Sequence, residues 1–200
     1  MKKIRKENDR IKNIYAAYMS DEKFRMKWSG NNLGNQFISQ ERNHSIRKLL
    51  VNYGIKLHRK KILEVGCAGG NIIASLLNLG AIEENIHGID IRPDRVNDAI
   101  KAHPNIKFSI MDASKMEFSD NEFDVILCNH VLEHIPDDTK AIQELYRVLK
   151  PGGMGIFQIP QDLSRETTFE DDSITDKKKR AKIFGKYDHV SGYGRDRSEE

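Results

Sequence analysis

The chain lacks the features that would place it in a membrane or send it out of the cell. No stretch approaches the roughly 20 consecutive apolar residues that cross a bilayer. Behind Met1-Lys2-Lys3 come Arg5, Lys6, Glu7, Asn8 and Asp9, not the apolar core of a secretory leader. The 200 residues hold only two cysteines, Cys67 and Cys128, too few for a disulfide framework, so a reducing compartment, the cytoplasm, is expected. Charge of one sign is also scarce: 33 Lys and Arg against 30 Asp and Glu give a net +3, which sets up no strong field for polyanions. Two local basic runs, Lys2 to Lys12 and Lys177 to Lys186, read first as solvated surface, with RNA or phosphate contact as the rival reading. There is no internal repeat.

What is present is the material of one domain with an appended cap: 38% hydrophobic residues, and a middle third that alternates β-branched runs with helical periodicity. Strands are expected at Lys61 to Val65, Asn85 to Ile89, Ile106 to Ile110, Phe123 to Cys128 and Met154 to Ile159. They are rich in Ile and Val with little polar alternation, as in strands covered on both faces. Helices are expected at Asn71 to Leu79, Asp94 to Ala102 and Asp138 to Leu149, the last stopped by Lys150-Pro151-Gly152-Gly153. The alternation predicts an α/β fold, a Rossmann-like, doubly wound, mostly parallel sheet. Ahead of it, Ile4 to Met19 and Glu41 to Leu57 read as helices, the second with an apolar stripe of Ile46, Leu49, Leu50 and Tyr53, joined by a loop from Ser29 to Asn35. The division is a helical cap at 1–60, a core at 61–160 and a lid or substrate segment at 161–200, whose apolar anchors are Phe169, Ile174, Ile183, Phe184 and Tyr187.

The strongest local signal is Ile62-Leu63-Glu64-Val65-Gly66-Cys67-Ala68-Gly69-Gly70-Asn71, a strand running into a glycine-rich turn and a helix. Glycine lets the backbone approach a bound cofactor and adopt positive φ cheaply. A pyrophosphate is disfavoured there, because Ala68 stands where a dinucleotide fingerprint wants its second glycine. Asp90 closes the second strand, where its two oxygens could accept both hydroxyls of a ribose, and Asp112 follows the third at the same rim.

These segments resemble a family. Glu64-x-Gly66-x-x-x-Gly70, Gly88-Ile89-Asp90, Met111-Asp112-Ala113, Phe123-Asp124-Val125-Ile126 with Val131-Leu132-Glu133-His134, and Leu149-Lys150-Pro151-Gly152-Gly153 look like the class I S-adenosylmethionine-dependent methyltransferases. The likeness is to the small-molecule, type-11-like branch that includes ubiquinone and menaquinone biosynthetic enzymes, and it covers about residues 60 to 160. It implies S-adenosyl-L-methionine as cofactor, S-adenosyl-L-homocysteine as product and a small-molecule acceptor at O, N or C. It also implies that Glu64, Gly66, Cys67, Ala68 and Gly70 surround the methionine part and Asp90 the ribose. Asp112 would meet the adenine amino group, with the Ala113 backbone at the ring and Ile91 on its face. Asn129 and His130 would lie near the sulfonium. Ala68 departs from the family's commonest glycine. Arg42 could reach the cofactor's carboxylate, with a surface ion pair as the alternative.

An activated methyl group leaves the protein to hold the acceptor, exclude water and, where required, remove a proton. His130, His134 and His189 are the candidate bases. His130-x-x-Glu133-His134 has an inverted zinc-protease spacing, and its resemblance to the Glu-x-x-Glu-His magnesium trio of some ubiquinone-pathway enzymes raises a metal. No metal is expected, because the motif falls at a strand-to-helix turn of a cofactor fold. The stretches Glu166 to Asp172 and Phe184 to Gly194 resemble a segment that covers the acceptor site in many bacterial methyltransferases, which would bring Tyr187 and His189 to substrate. The cysteines should end neighbouring strands, as buried small residues. The family's sixth and seventh strands are apparently missing after Ile159, and an exposed fifth-strand edge suggests a homodimer. Rival readings are an RNA or protein methyltransferase, and a non-catalytic cofactor-binding or scaffold subunit.

Overall fold

A computed structural model describes residues 9–10, 12–14, 16–18, 20–22, 26, 31–171 and 173–198. In chain order the elements are α1 (Leu33–Asn52), β1 (Ile62–Val65), α2 (Asn71–Asn78), β2 (Ile86–Asp90), α3 (Pro93–Ala102), β3 (Lys107–Ile110), β4 (Phe123–Asn129), α4 (Asp138–Val148), β5 (Leu149–Gln158), β6 (Phe169–Glu170), α5 (Lys177–Phe184) and β7 (Ser191–Gly192). Most of the described residues between 9 and 22 are helical, while the rest of the expected first helix lies outside the described residues.

Strands β1 to β5 form one parallel sheet in the order β3-β2-β1-β4-β5. The order reverses between β1 and β4, where ligands of open α/β sheets bind, beyond the carboxyl ends. The register brings those ends level: Val65 pairs with Ile89 on one side and Cys128 on the other. Gly66, Asp90 and His130 therefore share one rim.

Two hydrophobic clusters hold the layers. Ile62 packs with Ile46 and Leu50 of α1 and with Ile72, Ile73 and Leu76 of α2. The next side chain, Leu63, points the other way and packs with Ala141, Leu145 and Val148 of α4 and with Tyr193. Every residue of β1 is buried, as a central parallel strand requires. Fully burying each Ile or Leu contributes roughly 1.5–3 kcal/mol. Cys67 falls in the first cluster and Cys128 in the second. The two thiols are buried as expected, but on opposite faces of the sheet.

The departures from the sequence reading have local causes. Helix α1 begins at Leu33, inside the expected loop, because the Asn32 side chain caps it by accepting from the Asn35 N–H. Of its expected stripe, Ile46 and Leu50 are buried, whereas Leu49 and Tyr53 are exposed. Strand β5 starts at Leu149, which pairs with Phe123 before a register shift, so the Pro-Gly-Gly stop signal lies within the strand. Strand β3 is an edge and exposes Ile110.

Among the described residues no sixth or seventh strand joins the sheet. The short β6 and β7 pair antiparallel with each other instead. The segment after β5 returns to the core through residues not counted among its anchors: Tyr193, 1% exposed, donates its hydroxyl to Asp138 Oδ2 at 2.8 Å, and Val190 is buried with its N–H on the Glu133 carbonyl. Of the expected anchors Phe184 is buried, and Phe169 is exposed.

Candidate functional site

A cavity of about 290 Å³ opens at the carboxyl rim, between the ends of β1, β2 and β4. Its floor is the turn after β1. Gly66 has φ +71°, and its N–H donates to the Ile89 carbonyl at 2.8 Å. A Cβ there would stand 2.3 Å from Val131 Cγ2, so only glycine lets the turn pass beneath Val131. Ala68 holds φ +45°, an uncommon conformation for a residue with a Cβ. It is kept there by its N–H, which donates to Asp90 Oδ2 at 3.0 Å.

Asp90 organises the opposite wall. Its Oδ1 accepts from the Arg92 N–H at 2.9 Å, so each oxygen already holds one backbone donor and retains a further lone pair. Burial raises its pKa, opposed by those two N–H groups and by the Arg92 and Arg95 charges. Ile91, Asp112, Ala113 and Asn129 also line the cavity. Asp112 Oδ1 takes the Ser114 N–H at 2.9 Å and the Ser114 hydroxyl at 2.8 Å, which fixes the carboxylate at the rim. Asn129 Nδ2 is buried with no hydrogen-bond partner, a donor left for a ligand acceptor.

His130 follows β4 with φ +55°, a strained position held by its N–H on the Gln158 carbonyl at 2.8 Å. Its ring Nδ1 is 3.1 Å from Glu133 Oε1, and its side chain is 54% exposed. Glu133 is buried. Burial pushes its pKa up, but the His130 hydrogen bond and the His134 and His130 charges outweigh this and leave it lowered. His134 lines the cavity with its Nδ1 on the Asp188 carbonyl at 3.2 Å.

Several expected contacts lie elsewhere. Glu64, Cys67 and Gly70 do not line the cavity. Glu64 is sealed in the middle of β1, and burial raises its pKa well above the usual carboxylate range, against the opposing charge of Arg42. Arg42 is not in the lining either: it stands on α1, where burial lowers its pKa and Glu64 raises it. The αL residue Gly70 caps α2, and a Cβ on it would meet His103 Cδ2 at 2.7 Å. His189 is buried outside the cavity with Nδ1 on the Phe184 carbonyl at 2.9 Å, its ring packed edge-on against His134 at 5.0 Å. Tyr187 borders a different groove, with Arg10, Lys177 and Arg180. Neither His189 nor Tyr187 lines the rim cavity, and His189 reaches it only through His134. Sequence reading missed Arg92, Arg95, Met111, Val131 and Ile135 in the lining. Arg92 and Arg95 are one and four residues past Ile91 and were open to being found by that proximity.

The arrangement offers carboxylates at one end, apolar walls, and an unpartnered amide and an imidazole at the other. The orphaned Asn129 amide and the glycine floor at Gly66 fit a nucleoside-bearing cofactor with a polar tail.

A methyltransferase-domain profile matches residues 63–157. A ubiquinone biosynthesis O-methyltransferase of Pseudomonas fluorescens is 32% identical over 122 residues, covering 57% of this chain and 51% of that protein. The chain thus spans about half the length of the curated relatives it matches. The PH0226 protein of Pyrococcus horikoshii shares the fold with a TM-score of 0.54 and 26% identity, over 69% of this chain and 66% of that one. So does the [4+2]-cyclase SpnF, with a TM-score of 0.50 and 25% identity, over 63% of this chain and 46% of that one. No described helix is long and apolar enough to cross a membrane. The sheet order, the glycine turn and the rim carboxylates agree with the methyltransferase-domain match over residues 63–157, and that match implies S-adenosylmethionine as the cofactor.

Proposed function

We propose that the protein transfers the methyl group of S-adenosylmethionine to a small molecule, with a hydroxyl oxygen as the best-supported acceptor and S-adenosylhomocysteine as product. The observation that carries this reading is the rim cavity, with Asp90 and Asp112 on one side and Asn129 and His130 on the other. The bound cofactor supplies an already activated methyl group. Asp90 accepts the ribose hydroxyls, Asp112 and the Ala113 backbone meet the adenine edge, and Ile91 packs on its face. Asn129 Nδ2 donates to the methionine end.

His130 is the proposed base. A carboxylate oxygen can only accept, so the ring nitrogen facing Glu133 Oε1 carries a proton, and when the ring is neutral Nε2 carries the lone pair. That is the form that takes a proton from an acceptor hydroxyl held about 3 to 3.5 Å from the methyl carbon. The name of the Pseudomonas relative supports oxygen as the acceptor atom.

The domain assignment proposed is a cap at 1–60, a cofactor-binding core at 61–160 and a C-terminal segment at 161–200. Two buried free cysteines support a cytoplasmic setting. The outer edge of β5, with Phe157 half exposed, supports a homodimer. A second reading, cofactor binding without methyl transfer, is supported by the likeness to SpnF, which its name describes as a cyclase.

The test is transfer of labelled methyl from S-adenosylmethionine to a panel of phenolic small molecules, with RNA as a comparison. Label in a phenol, with His130→Ala slowed by about 10²- to 10⁴-fold, is expected. Label in RNA only, or cofactor binding without transfer to any acceptor, overturns the reading.

A further inference from the structure

The turn that floors the rim cavity is held at its far end by a histidine that does not itself line the cavity. His103 Nε2 lies 3.1 Å from the Gly70 carbonyl. We propose that His103 is a positioning residue for the cofactor: its ring locks the end of the turn after β1 and so keeps the surface at Gly66 and Ala68 in the shape that accepts S-adenosylmethionine. The inference rests on the cofactor reading above and depends neither on methyl transfer nor on the acceptor.

The turn is strained along its length. Gly66, Ala68 and Gly70 have φ of +71°, +45° and +82°. Such a run persists only where the surrounding structure over-determines it. From β2 come the tethers of its first half: the Gly66 and Cys67 N–H groups both donate to the Ile89 carbonyl, at 2.8 and 2.9 Å, and the Ala68 N–H donates to Asp90 Oδ2 at 3.0 Å. The second half closes on itself, with the Gly70 N–H on the Cys67 carbonyl at 2.8 Å, and the Gly70 carbonyl accepts the Ala74 N–H at 3.2 Å as α2 begins. At that end the tether from outside the turn and its helix is His103.

A carbonyl only accepts, so Nε2 of His103 carries a hydrogen and donates it to Gly70. The ring also lies against the turn, since a Cβ on Gly70 would stand 2.7 Å from its Cδ2 and 3.0 Å from its Nε2. His103 is fixed in its turn by the backbone. Its N–H caps α3 by donating to the Ala99 carbonyl at 2.8 Å, and its own carbonyl accepts the N–H of the buried Ile106 at 3.1 Å. Pro104 stops the helix at this place, because the residue before a proline disfavours helical backbone. Gly70 thus takes part in the site without touching the cavity: Gly66 and Ala68 line it, and Gly70 is where their turn is pinned.

The test is calorimetric titration of the whole chain with S-adenosylhomocysteine, comparing the parent with His103→Ala, His103→Phe and His103→Gln. His103→Ala should weaken binding by about 3- to 10-fold, the worth of one net hydrogen bond. His103→Phe, which keeps a ring and loses the donor, should weaken it as much and serves if the alanine variant does not fold. His103→Gln, whose amide can donate to the same carbonyl, should recover most of the loss. In the free protein, amide hydrogen exchange at Ala68 and Gly70 should speed up in His103→Ala by a larger factor than exchange in β4, whereas a purely structural role would speed both alike. Affinity within about twofold of the parent in a folded His103→Ala or His103→Phe protein, His103→Gln no tighter than His103→Ala, or equal acceleration in the turn and in β4 overturns this inference alone. A parent protein that binds no S-adenosylhomocysteine overturns the cofactor reading and this inference with it.

Discussion

Replacing Asp90 by alanine removes two things that the rim geometry depends on. The carboxylate accepts from the Ala68 N–H at 3.0 Å and from the Arg92 N–H at 2.9 Å, and in the proposed complex it also takes the ribose hydroxyls. Losing charged hydrogen bonds to the ligand costs about 1.5–3 kcal/mol, which is roughly 10- to 150-fold in affinity for S-adenosylhomocysteine. The same change strands two backbone donors, one of them at Ala68 with φ +45°, so unfolding free energy should drop by about 1–3 kcal/mol. Asp90→Asn is the sharper companion, because its amide can keep one of the two N–H donors and must present a donor to the other. Affinity is read by calorimetry at neutral pH, with far-UV circular dichroism to confirm that each variant is folded. Affinity within about twofold of the parent in a folded Asp90→Ala protein would refute both the ribose assignment and the placement of the site.

Other consequences follow from single positions. Gly66→Ala puts a Cβ 2.3 Å from Val131 Cγ2 at φ +71°, and the αL strain alone is about 1–2 kcal/mol; thermal melting should fall by several degrees, and an unchanged Tm would contradict the turn geometry. Burial raises Glu64 above its unfolded value, so the folded state binds more protons and stability falls as pH climbs from about 4.5 through the folded pKa, by at most about 1.4 kcal/mol per pH unit. Glu64→Gln should flatten that slope in urea titrations across pH 5 to 8, whereas an equally steep slope in the variant would assign it to other groups. Burial pushes both cysteine thiols up, Glu64 and Asp90 adding to the shift at Cys67 and Glu133 at Cys128, so a thiol reagent at pH 8 should label neither until urea unfolds the chain.

Much of the core is legible in sequence because a central parallel strand writes itself as an apolar run. Ile62 to Val65 and Phe123 to Cys128 announce β1 and β4, and Asp90 and Asp112 are placed by the strands they follow. Edges are harder to read. The Lys150-Pro151-Gly152-Gly153 stop is a true helix end, yet the same residues continue as β5, because Asp124 takes the Lys61 N–H at 2.9 Å and the Lys150 ammonium at 2.8 Å and draws the two strands together there. The Asn32 cap is hidden among neighbouring asparagines and glycines. The meeting of His189 with Glu133 leaves no local trace, because it is made by the docking of Tyr193 on Asp138 and not by any spacing. Arg42 had the right charge for a cofactor carboxylate, and its place on α1 beside the buried Glu64 was set by tertiary packing alone.

The central claim is that the rim cavity holds S-adenosylmethionine. Titrating the purified chain by calorimetry with S-adenosylmethionine, S-adenosylhomocysteine and, as a control, NAD tests it most directly. The account expects one site with dissociation constants in the micromolar range, about −8 kcal/mol, for the first two and no heat from NAD. A folded protein that binds none of the three, or binds NAD as well, would contradict it.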